Sequence, residues 1–237
     1  MSFQKIKSST SRCFDISTAA LHIIAMLFML MDHLWATLLP AQEWLTCVGR
    51  IAFPIFAFMS VEGYFHTHNF KKYLLRMLVF AVISEIPFDL AFSSKILEFN
   101  YQNVFFTLFI GLLTMIAYRA VEEKEEWNQA LKVILYILIV AAGMALAYFL
   151  KTDYAEKGVF CIMVLYIFRK KKMWQLIAGC ASFIWETPAL FGFIPIAFYN
   201  GTRGWKMKYF FYIFYPAHLL ILYLLCYFMG ISGYSAV

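Results

Sequence analysis

Charged residues are scarce in this sequence: Asp, Glu, Lys and Arg make up 14% of its 237 residues, against about 25% in a soluble domain. So little polar surface cannot shield the 63% of residues that are hydrophobic from water, which excludes a water-soluble globular fold. The alternation of an outer-membrane barrel is also missing, because the run from Leu131 to Leu150 is apolar at nearly every position. Helices are therefore the predicted spanning elements.

Cysteine is sparse and has no metal-site or disulfide pattern. The five cysteines form no CxxC pair and no His/Cys cluster, so we predict neither a disulfide framework nor a bound metal. The formal net charge of +6 does not indicate nucleic acid, because the basic residues lie beside hydrophobic segments rather than on one polar face. We therefore predict that the chain is surrounded by membrane lipid.

Several apolar stretches are long enough to cross a bilayer, which takes about 20 residues of helix. Five stretches qualify on length: Ile16 to Leu39, Trp44 to Phe65, Tyr73 to Phe92, Ala130 to Leu150 and Tyr209 to Met229. A sixth, Asn103 to Tyr118, is slightly shorter. Three further pieces are shorter still and are predicted to be short, tilted or re-entrant: Gly158 to Phe168, Met173 to Trp185 and Pro188 to Tyr199.

The distribution of Lys and Arg predicts the topology, because cytoplasmic loops carry the excess of positive charge. With nine crossings and the N-terminus inside, the inner segments hold 16 basic residues and the outer loops hold 3. We therefore predict an all-α polytopic bundle of about eight or nine membrane segments in a bacterial inner membrane. Residues 1–15 are predicted to be a cytoplasmic N-terminal segment, residues 16–237 a single transmembrane domain, and the C-terminus to lie outside.

Polar residues converge on the outer half of the predicted membrane region. Counting about 1.5 Å per helical residue puts Asp32, His33 and Arg50 at similar depth. Seven of the nine can carry charge, and an ionisable group at that depth is costly enough to indicate a functional site. The nine residues are Asp32, His33, Arg50, Glu85, Asp89, Asn103, Thr107, Asp153 and Glu186.

Two interpretations of this cluster are open from the residues alone. The groups could only pair with one another, for example Arg50 with Asp32 or Glu85, and hold helices together. Alternatively, the Asp32-His33 step beside an arginine is also how a general base is oriented. His218 lies near the middle of the last helix, where it could line a cavity or be a satisfied core histidine.

A glycine-flanked basic segment lies at the predicted inner surface. It runs Asn200-Gly201-Thr202-Arg203-Gly204 and is followed by Lys206 and Lys208. Glycines let backbone N–H groups approach an anion, which Arg and Lys neutralise. The same pattern is also typical of a positive-inside loop with a helix-stopping glycine.

Several motifs in the same order resemble the TraX family, whose named member acetylates the N-terminus of conjugative pilin. The resemblance covers about residues 20 to 220. Its motifs are the segment ending in Met31-Asp32-His33, Gly49-Arg50-Ile51-Ala52-Phe53-Pro54, Ser84-Glu85-Ile86-Pro87-Phe88-Asp89, Asn103-Val104-Phe105-Phe106-Thr107, Asp153-Tyr154 with Gly158, Tyr199-Asn200-Gly201 with Arg203-Gly204, and Phe214-Tyr215-Pro216-Ala217-His218.

The resemblance implies a membrane-bound acetyltransferase that takes its acetyl group from cytosolic acetyl-CoA. His33, oriented by Asp32, would be the base, and Arg50 with His218 or Asn103 would stabilise the oxyanion. The remaining implied roles are catalytic for Glu85 and CoA-binding for Asn200, Gly201, Arg203, Gly204, Lys206 and Lys208. Direct transfer and a two-step route through acetyl-His33 are equally consistent with these residues.

Two other functional classes stay open. A transporter or channel would use Asp32, Arg50, Glu85 and Asp89 as a proton or substrate relay without making a bond. A structural partner in a conjugation or secretion assembly would tolerate apolar replacements of these residues. Within the enzyme interpretation, the acceptor amine or hydroxyl could belong to a pilin N-terminus, a peptide or a glycan.

Overall fold

The computed structural model describes residues 15–205 and 208–231, and nearly all regular structure in these ranges is helical. The predicted cytoplasmic segment thus lies outside the described residues except for its last residue. A 3₁₀ helix, Thr187–Gly192, precedes the ninth α-helix. The α-helices are α1 Thr18–Thr37, α2 Glu43–Gly49, α3 Ala52–His66, α4 Phe70–Ser93, α5 Val104–Glu122, α6 Gln129–Phe149, α7 Ala155–Ile167, α8 Lys172–Ser182, α9 Phe193–Ala197 and α10 Lys208–Phe228.

Within residues 15–205 and 208–231, five segments are long and apolar enough to cross a membrane. They are Thr18–Thr37, Glu43–His66, Val104–Glu122, Gln129–Phe149 and Tyr209–Phe228. Helix α4 is also long, at 24 residues, but it carries Arg76, Glu85 and Asp89. Its apolar side chains Val82 and Ile83 are nevertheless exposed on the bundle surface. The all-α membrane architecture is confirmed, and nine crossings stays a prediction.

The predicted span from Trp44 to Phe65 is interrupted, because Arg50 and Ile51 separate α2 from α3. Pro54 accounts for the break: it has no N–H to donate, and its ring clashes with the carbonyl four residues earlier, that of Arg50. Gly192 packs into the gap, where an added Cβ would lie 2.9 Å from the Ile51 carbonyl oxygen. Arg50 therefore lies at the end of a helix instead of inside one.

The short helix α7 forms the centre of the bundle. Its residues Val159, Cys161, Ile162 and Leu165 have no exposed surface. It packs against α3, α5, α6 and α8, while α1, α4 and α10 enclose the other side of the bundle. The three shorter apolar pieces predicted between Tyr154 and Asn200 form α7, α8 and the 3₁₀ helix with α9.

The basic segments meet at one end of the bundle, which we call the basic end. There the Arg169 Nε donates to the Glu62 Oε1 at 2.7 Å, and the Lys172 Nζ donates to the Tyr199 carbonyl at 2.9 Å. Ile16, just before α1, pairs with Tyr199. The turn before α8 and the segment before α10 thus share an end with the start of α1, while the orientation of the chain across the membrane stays a prediction.

Candidate active site

Two histidines from distant parts of the chain form the centre of the site. The Nδ1 of His33 on α1 lies 2.6 Å from the Nε2 of His218 on α10, and the two rings are parallel to within 3°. The Nδ1 of His218 lies 2.7 Å from the Phe214 carbonyl oxygen, one turn earlier in α10. These contacts form a continuous hydrogen-bonded chain from backbone to imidazole to imidazole.

The chain of contacts assigns the tautomers of both neutral rings. A carbonyl oxygen can only accept, so the His218 Nδ1 carries a proton and donates it to Phe214. The His218 Nε2 is then an acceptor, and the His33 Nδ1 must be the donor. The lone pair of His33 is consequently on Nε2, which has no hydrogen-bond partner among the described residues. An imidazole held this way can accept a proton from a substrate.

Asp32 does not orient His33, which corrects the predicted pairing. The Asp32 Oδ1 accepts a hydrogen bond from the Thr46 hydroxyl at 2.7 Å and lies 3.8 Å from the Arg50 Nε. Successive residues of a helix point in different directions, so Asp32 faces α2 while His33 faces α10. The orienting partner of His33 is His218, and Asp32 instead helps to hold Arg50.

Close packing of α1 on α2 makes the Asp32 contacts possible. A Cβ added at Gly49 would lie 2.4 Å from the Asp32 Cβ and 2.7 Å from its Cα. Only glycine allows this approach, because the clash would be with backbone atoms that cannot rotate away. Gly49 thus brings the end of α2, and with it Arg50, next to the predicted base.

Arg50 connects four parts of the site. Besides Asp32, its Nε lies 4.0 Å from the Glu186 Oε1, and its guanidinium hydrogen-bonds the Tyr154 hydroxyl. It also interacts electrostatically with His33. The predicted convergence of His33, Asp32, Arg50 and Glu186 is therefore present, with a cation set among carboxylates and beside an uncharged base.

The connection between α6 and α7 supplies another carboxylate. The Asp153 Oδ1 accepts a hydrogen bond from the Tyr101 hydroxyl at 2.7 Å, and Thr107 donates to the Asp153 backbone carbonyl. Burial raises the pKa of Asp153 to about 6, although the Tyr101 hydrogen bond and the Arg50 charge act in the opposite direction. Asp153 is thus part of the charge environment of Arg50.

Glu85 and Asn103 form a separate pair on the α4–α5 side. The Asn103 Nδ2 donates to the Glu85 Oε2 and, at 2.8 Å, to the Ala81 carbonyl. Its Oδ1 accepts from the Phe105 N–H and caps α5. Both hydrogens of the amide are engaged, so Asn103 has none left for an oxyanion. In this arrangement Asn103 holds Glu85 and caps α5, and a catalytic role for Asn103 stays a prediction.

Two buried carboxylate oxygens on α4, the Glu85 Oε1 and the Asp89 Oδ1, have no hydrogen-bond partner in the part of the chain that the structure describes. The other oxygen of Asp89 accepts from the Glu98 N–H at 2.7 Å. One turn further along this face, the Phe92 ring contacts His33 edge-on at 5.4 Å between centroids. The unpartnered oxygens therefore lie on the face of α4 that reaches the histidine pair.

The basic segment at the other end of the bundle is tied to the start of α1. The Thr202 and Arg203 carbonyls accept from the N–H groups of Thr18 and Ala19 at 2.8 and 3.2 Å. Gly204 has a φ of +66°, and a Cβ there would lie 2.5 Å from the Ser17 Oγ. The Arg203 side chain is exposed.

The other residues of the predicted CoA site contribute unequally. The Asn200 Oδ1 accepts from the Thr202 N–H and hydroxyl, which shapes the turn, and Gly201 has a φ of +75° with nothing within 4 Å of an added Cβ. Lys206 and the side chain of Lys208 lie outside the described residues. The backbone N–H of Thr202 is thus already bonded, and Arg203 is the exposed cation of the described part of this segment.

Sequence reasoning missed three hydroxyl groups of the site, those of Thr46, Tyr101 and Tyr154. Thr46 and Tyr101 lie within apolar or mixed stretches where nothing distinguishes them from membrane-interface residues. Tyr154 was part of a family-like motif but had no role assigned to it. Among the described residues, no three His, Cys, Asp or Glu side chains come together as a metal site.

Comparisons with known proteins identify the family of the chain. Residues 17–226 match the family described as "TraX protein". A curated relative, "Probable fimbrial assembly protein FimC, serogroup H1" of Dichelobacter nodosus, is 30% identical over 247 residues, which cover 90% of this chain and 96% of the relative. No solved structure matches the chain. The family match includes His33 and His218 as well as Arg50 and its neighbours Asp32, Tyr154 and Glu186. The chain belongs to the TraX family.

Proposed function

We propose that this protein is an acetyltransferase that moves an acetyl group from cytosolic acetyl-CoA to an amine or hydroxyl at the opposite face of the bacterial inner membrane. The observation that carries the proposal is the His33–His218 pair, which leaves the His33 Nε2 without a proton. The Arg50 Nε lies 3.8 Å from the Oδ1 of Asp32, the residue before His33, and the charge of Arg50 acts on the His33 ring. Acyl transfer needs a base and a fixed cation within one site.

The chemistry follows from these positions. The His33 Nε2 takes a proton from the acceptor as its nitrogen or oxygen attacks the thioester carbonyl. Arg50 stabilises the negative charge that develops on the carbonyl oxygen. The new C–N or C–O bond forms, the C–S bond breaks, and the departing thiolate takes the proton from His33. The products are acetylated acceptor and CoA thiol, and His33 returns to its starting tautomer.

The donor would enter from the basic end. Arg203, Lys206 and Lys208 are the proposed partners of the CoA phosphates, and Arg203 adjoins the first turn of α1. From Ala19 to His33, α1 rises about 21 Å at about 1.5 Å per residue. The pantetheine arm would therefore run along α1 to bring the thioester to the histidine pair.

The acceptor would meet the other side of His33. The unpartnered oxygens of Glu85 and Asp89 can accept hydrogen bonds from an ammonium or hydroxyl group. The relative from Dichelobacter nodosus carries the name of a fimbrial assembly protein. A subunit of a surface fibre is therefore our first candidate acceptor, followed by other peptides and glycans.

Acetyl-CoA turnover tests the proposal directly. Detergent-purified protein supplied with radiolabelled acetyl-CoA and a membrane extract should release CoA thiol and label a component of the extract. A transporter built on Asp32, Arg50, Glu85 and Asp89 would instead release no thiol. A structural component of a fibre-assembly machine would also release none, and it would keep its assembly phenotype when these residues are replaced. Absence of turnover in the purified parent protein would reject the enzyme.

Replacing Arg203 by Ala should weaken acetyl-CoA binding by about 1.5–3 kcal/mol, the usual scale for a hydrogen bond to a charged group. Calorimetric titration with acetyl-CoA measures the change. Lys170→Ala is the matched control, because Lys170 is also exposed at the basic end but lies outside the proposed donor segment. Equal affinity of the parent and of Arg203→Ala for acetyl-CoA would show that this segment does not bind the donor and serves only as a positively charged cytoplasmic loop.

A further inference from the structure

Tyr154 occupies a strained turn next to Arg50. Its φ is +62°, and the neighbouring Ala155 and Lys151 also have positive φ values, +39° and +52°. Such conformations cost roughly 1–3 kcal/mol each outside glycine and persist only where the surroundings impose them. Contacts around the turn hold this backbone conformation and also fix the position of the Tyr154 side chain.

The turn is held on its backbone side by α5 and the segment before it. The Gln102 N–H donates to the Lys151 carbonyl at 2.9 Å, and the Asp153 N–H donates to the Gln102 carbonyl at 2.8 Å. Thr107 donates to the Asp153 carbonyl, and its hydroxyl lies 2.9 Å from that of Thr152. The backbone on both sides of Tyr154 is therefore fixed independently of its side chain.

The Tyr154 ring is fixed as well. It stacks on Phe53 with 3.7 Å between centroids and an interplanar angle of 6°, and Trp185 contacts it edge-on. A Cβ added at Gly158 would lie 2.8 Å from the Tyr154 Cβ, so α7 leaves the ring no room to move aside. These contacts direct the hydroxyl toward Arg50.

The hydrogen bond with Arg50 determines what the hydroxyl can do. A guanidinium has only donors, so the Tyr154 oxygen is the acceptor, and the phenolic proton remains available to another group. Burial, with the charge of Asp153, raises the pKa of Tyr154, which keeps the phenol protonated at neutral pH. The Tyr154 hydroxyl is thus fixed in position, and its proton bonds no other group among the described residues.

We propose that Tyr154 is a further catalytic residue, whose hydroxyl donates a hydrogen bond to the carbonyl oxygen of the transferred acetyl group. The assignment rests on the proposed acetyl transfer. Arg50 contacts Asp32, the residue before His33, at 3.8 Å and hydrogen-bonds Tyr154, so Arg50 and Tyr154 form a pair in the same part of the site as the proposed base. We place the carbonyl oxygen of the transferred acetyl group at this pair. Two donors at that oxygen would stabilise the oxyanion without any proton transfer.

Replacing Tyr154 by Phe tests the proposal, because the ring and its stacking on Phe53 are kept. We expect kcat to fall by about 10- to 50-fold, somewhat less than for loss of a sole oxyanion donor because Arg50 remains. KM for acetyl-CoA and the melting temperature in detergent should stay near the parental values. Tyr148→Phe, an exposed tyrosine at the end of α6, is the matched control and should leave kcat unchanged.

A second measurement covers the case in which Tyr154→Phe fails to fold. Difluorotyrosine at position 154 keeps the ring and the hydroxyl but ionises at lower pH, so the alkaline limb of the kcat profile should move to lower pH. An inactive parent protein would reject the acetyltransferase itself. An active parent combined with parental kcat in Tyr154→Phe, or with an unmoved alkaline limb in the fluorinated protein, would overturn the role of Tyr154 alone.

Discussion

Replacing His33 by Ala should lower acetyl transfer by about 100-fold or more, within the 10² to 10⁴ range typical of general acid–base catalysis. The physical reason is the position of its lone pair: His218 fixes the proton of His33 on Nδ1, and Nε2 is left to accept one. Without the imidazole, the acceptor must lose its proton to water instead of to a positioned base. Initial rates of CoA thiol release measure the loss.

Acetyl-CoA binding separates this effect from misfolding. His33→Ala should still bind acetyl-CoA, because the proposed phosphate partners lie at the opposite end of α1. His22→Ala is a matched control: His22 is on the same helix, bonds the Thr18 carbonyl and stacks on Phe211, so its loss should leave kcat unchanged. Parental turnover by monodisperse His33→Ala would remove the central residue of the mechanism.

The sequence is sufficient to predict most of the helices and the convergence of several polar residues. Long apolar runs identify the spans, and a rise of about 1.5 Å per residue places His33 and Arg50 at similar depth without knowledge of the packing. Composition is enough for this prediction because the thickness of the bilayer sets the length of a span. The need to pair every backbone N–H and C=O group inside lipid then restricts spanning segments to helices or closed barrels. The convergence of Asp32, Arg50 and Glu186 was predictable for the same reason.

The pairing of those residues was not predictable, since it depends on the rotation of each helix. Asp32 and His33 are neighbours in sequence, which suggests a catalytic dyad, yet Asp32 faces α2 and His33 faces α10. The rotation is set by contacts such as Gly49 on Asp32, which join segments far apart in the chain or across a turn. The break at Arg50 similarly depends on packing of Gly192 against Pro54.

Replacing Arg50 by Ala should lower kcat by about 100- to 1000-fold, the scale measured when one oxyanion donor is removed from a preorganised site. The guanidinium would act on charge that appears only in the transition state, so KM for acetyl-CoA should change little. The same substitution also leaves Asp32 and Glu186 without their cation, and unpaired carboxylates that are partly buried destabilise a fold. A drop in activity alone therefore does not distinguish catalysis from charge neutralisation.

The double variant Arg50→Ala/Glu186→Gln separates the two roles of Arg50. It restores the local charge balance, while Asp32 keeps its hydrogen bond from Thr46. If Arg50 stabilises the oxyanion, the double variant should regain the melting temperature lost by Arg50→Ala but not its kcat. If Arg50 only neutralises carboxylates, both should return together. Recovery of near-parental kcat in the double variant would thus remove Arg50 from the chemistry and leave it as a link between α1, α2 and the segment before α9.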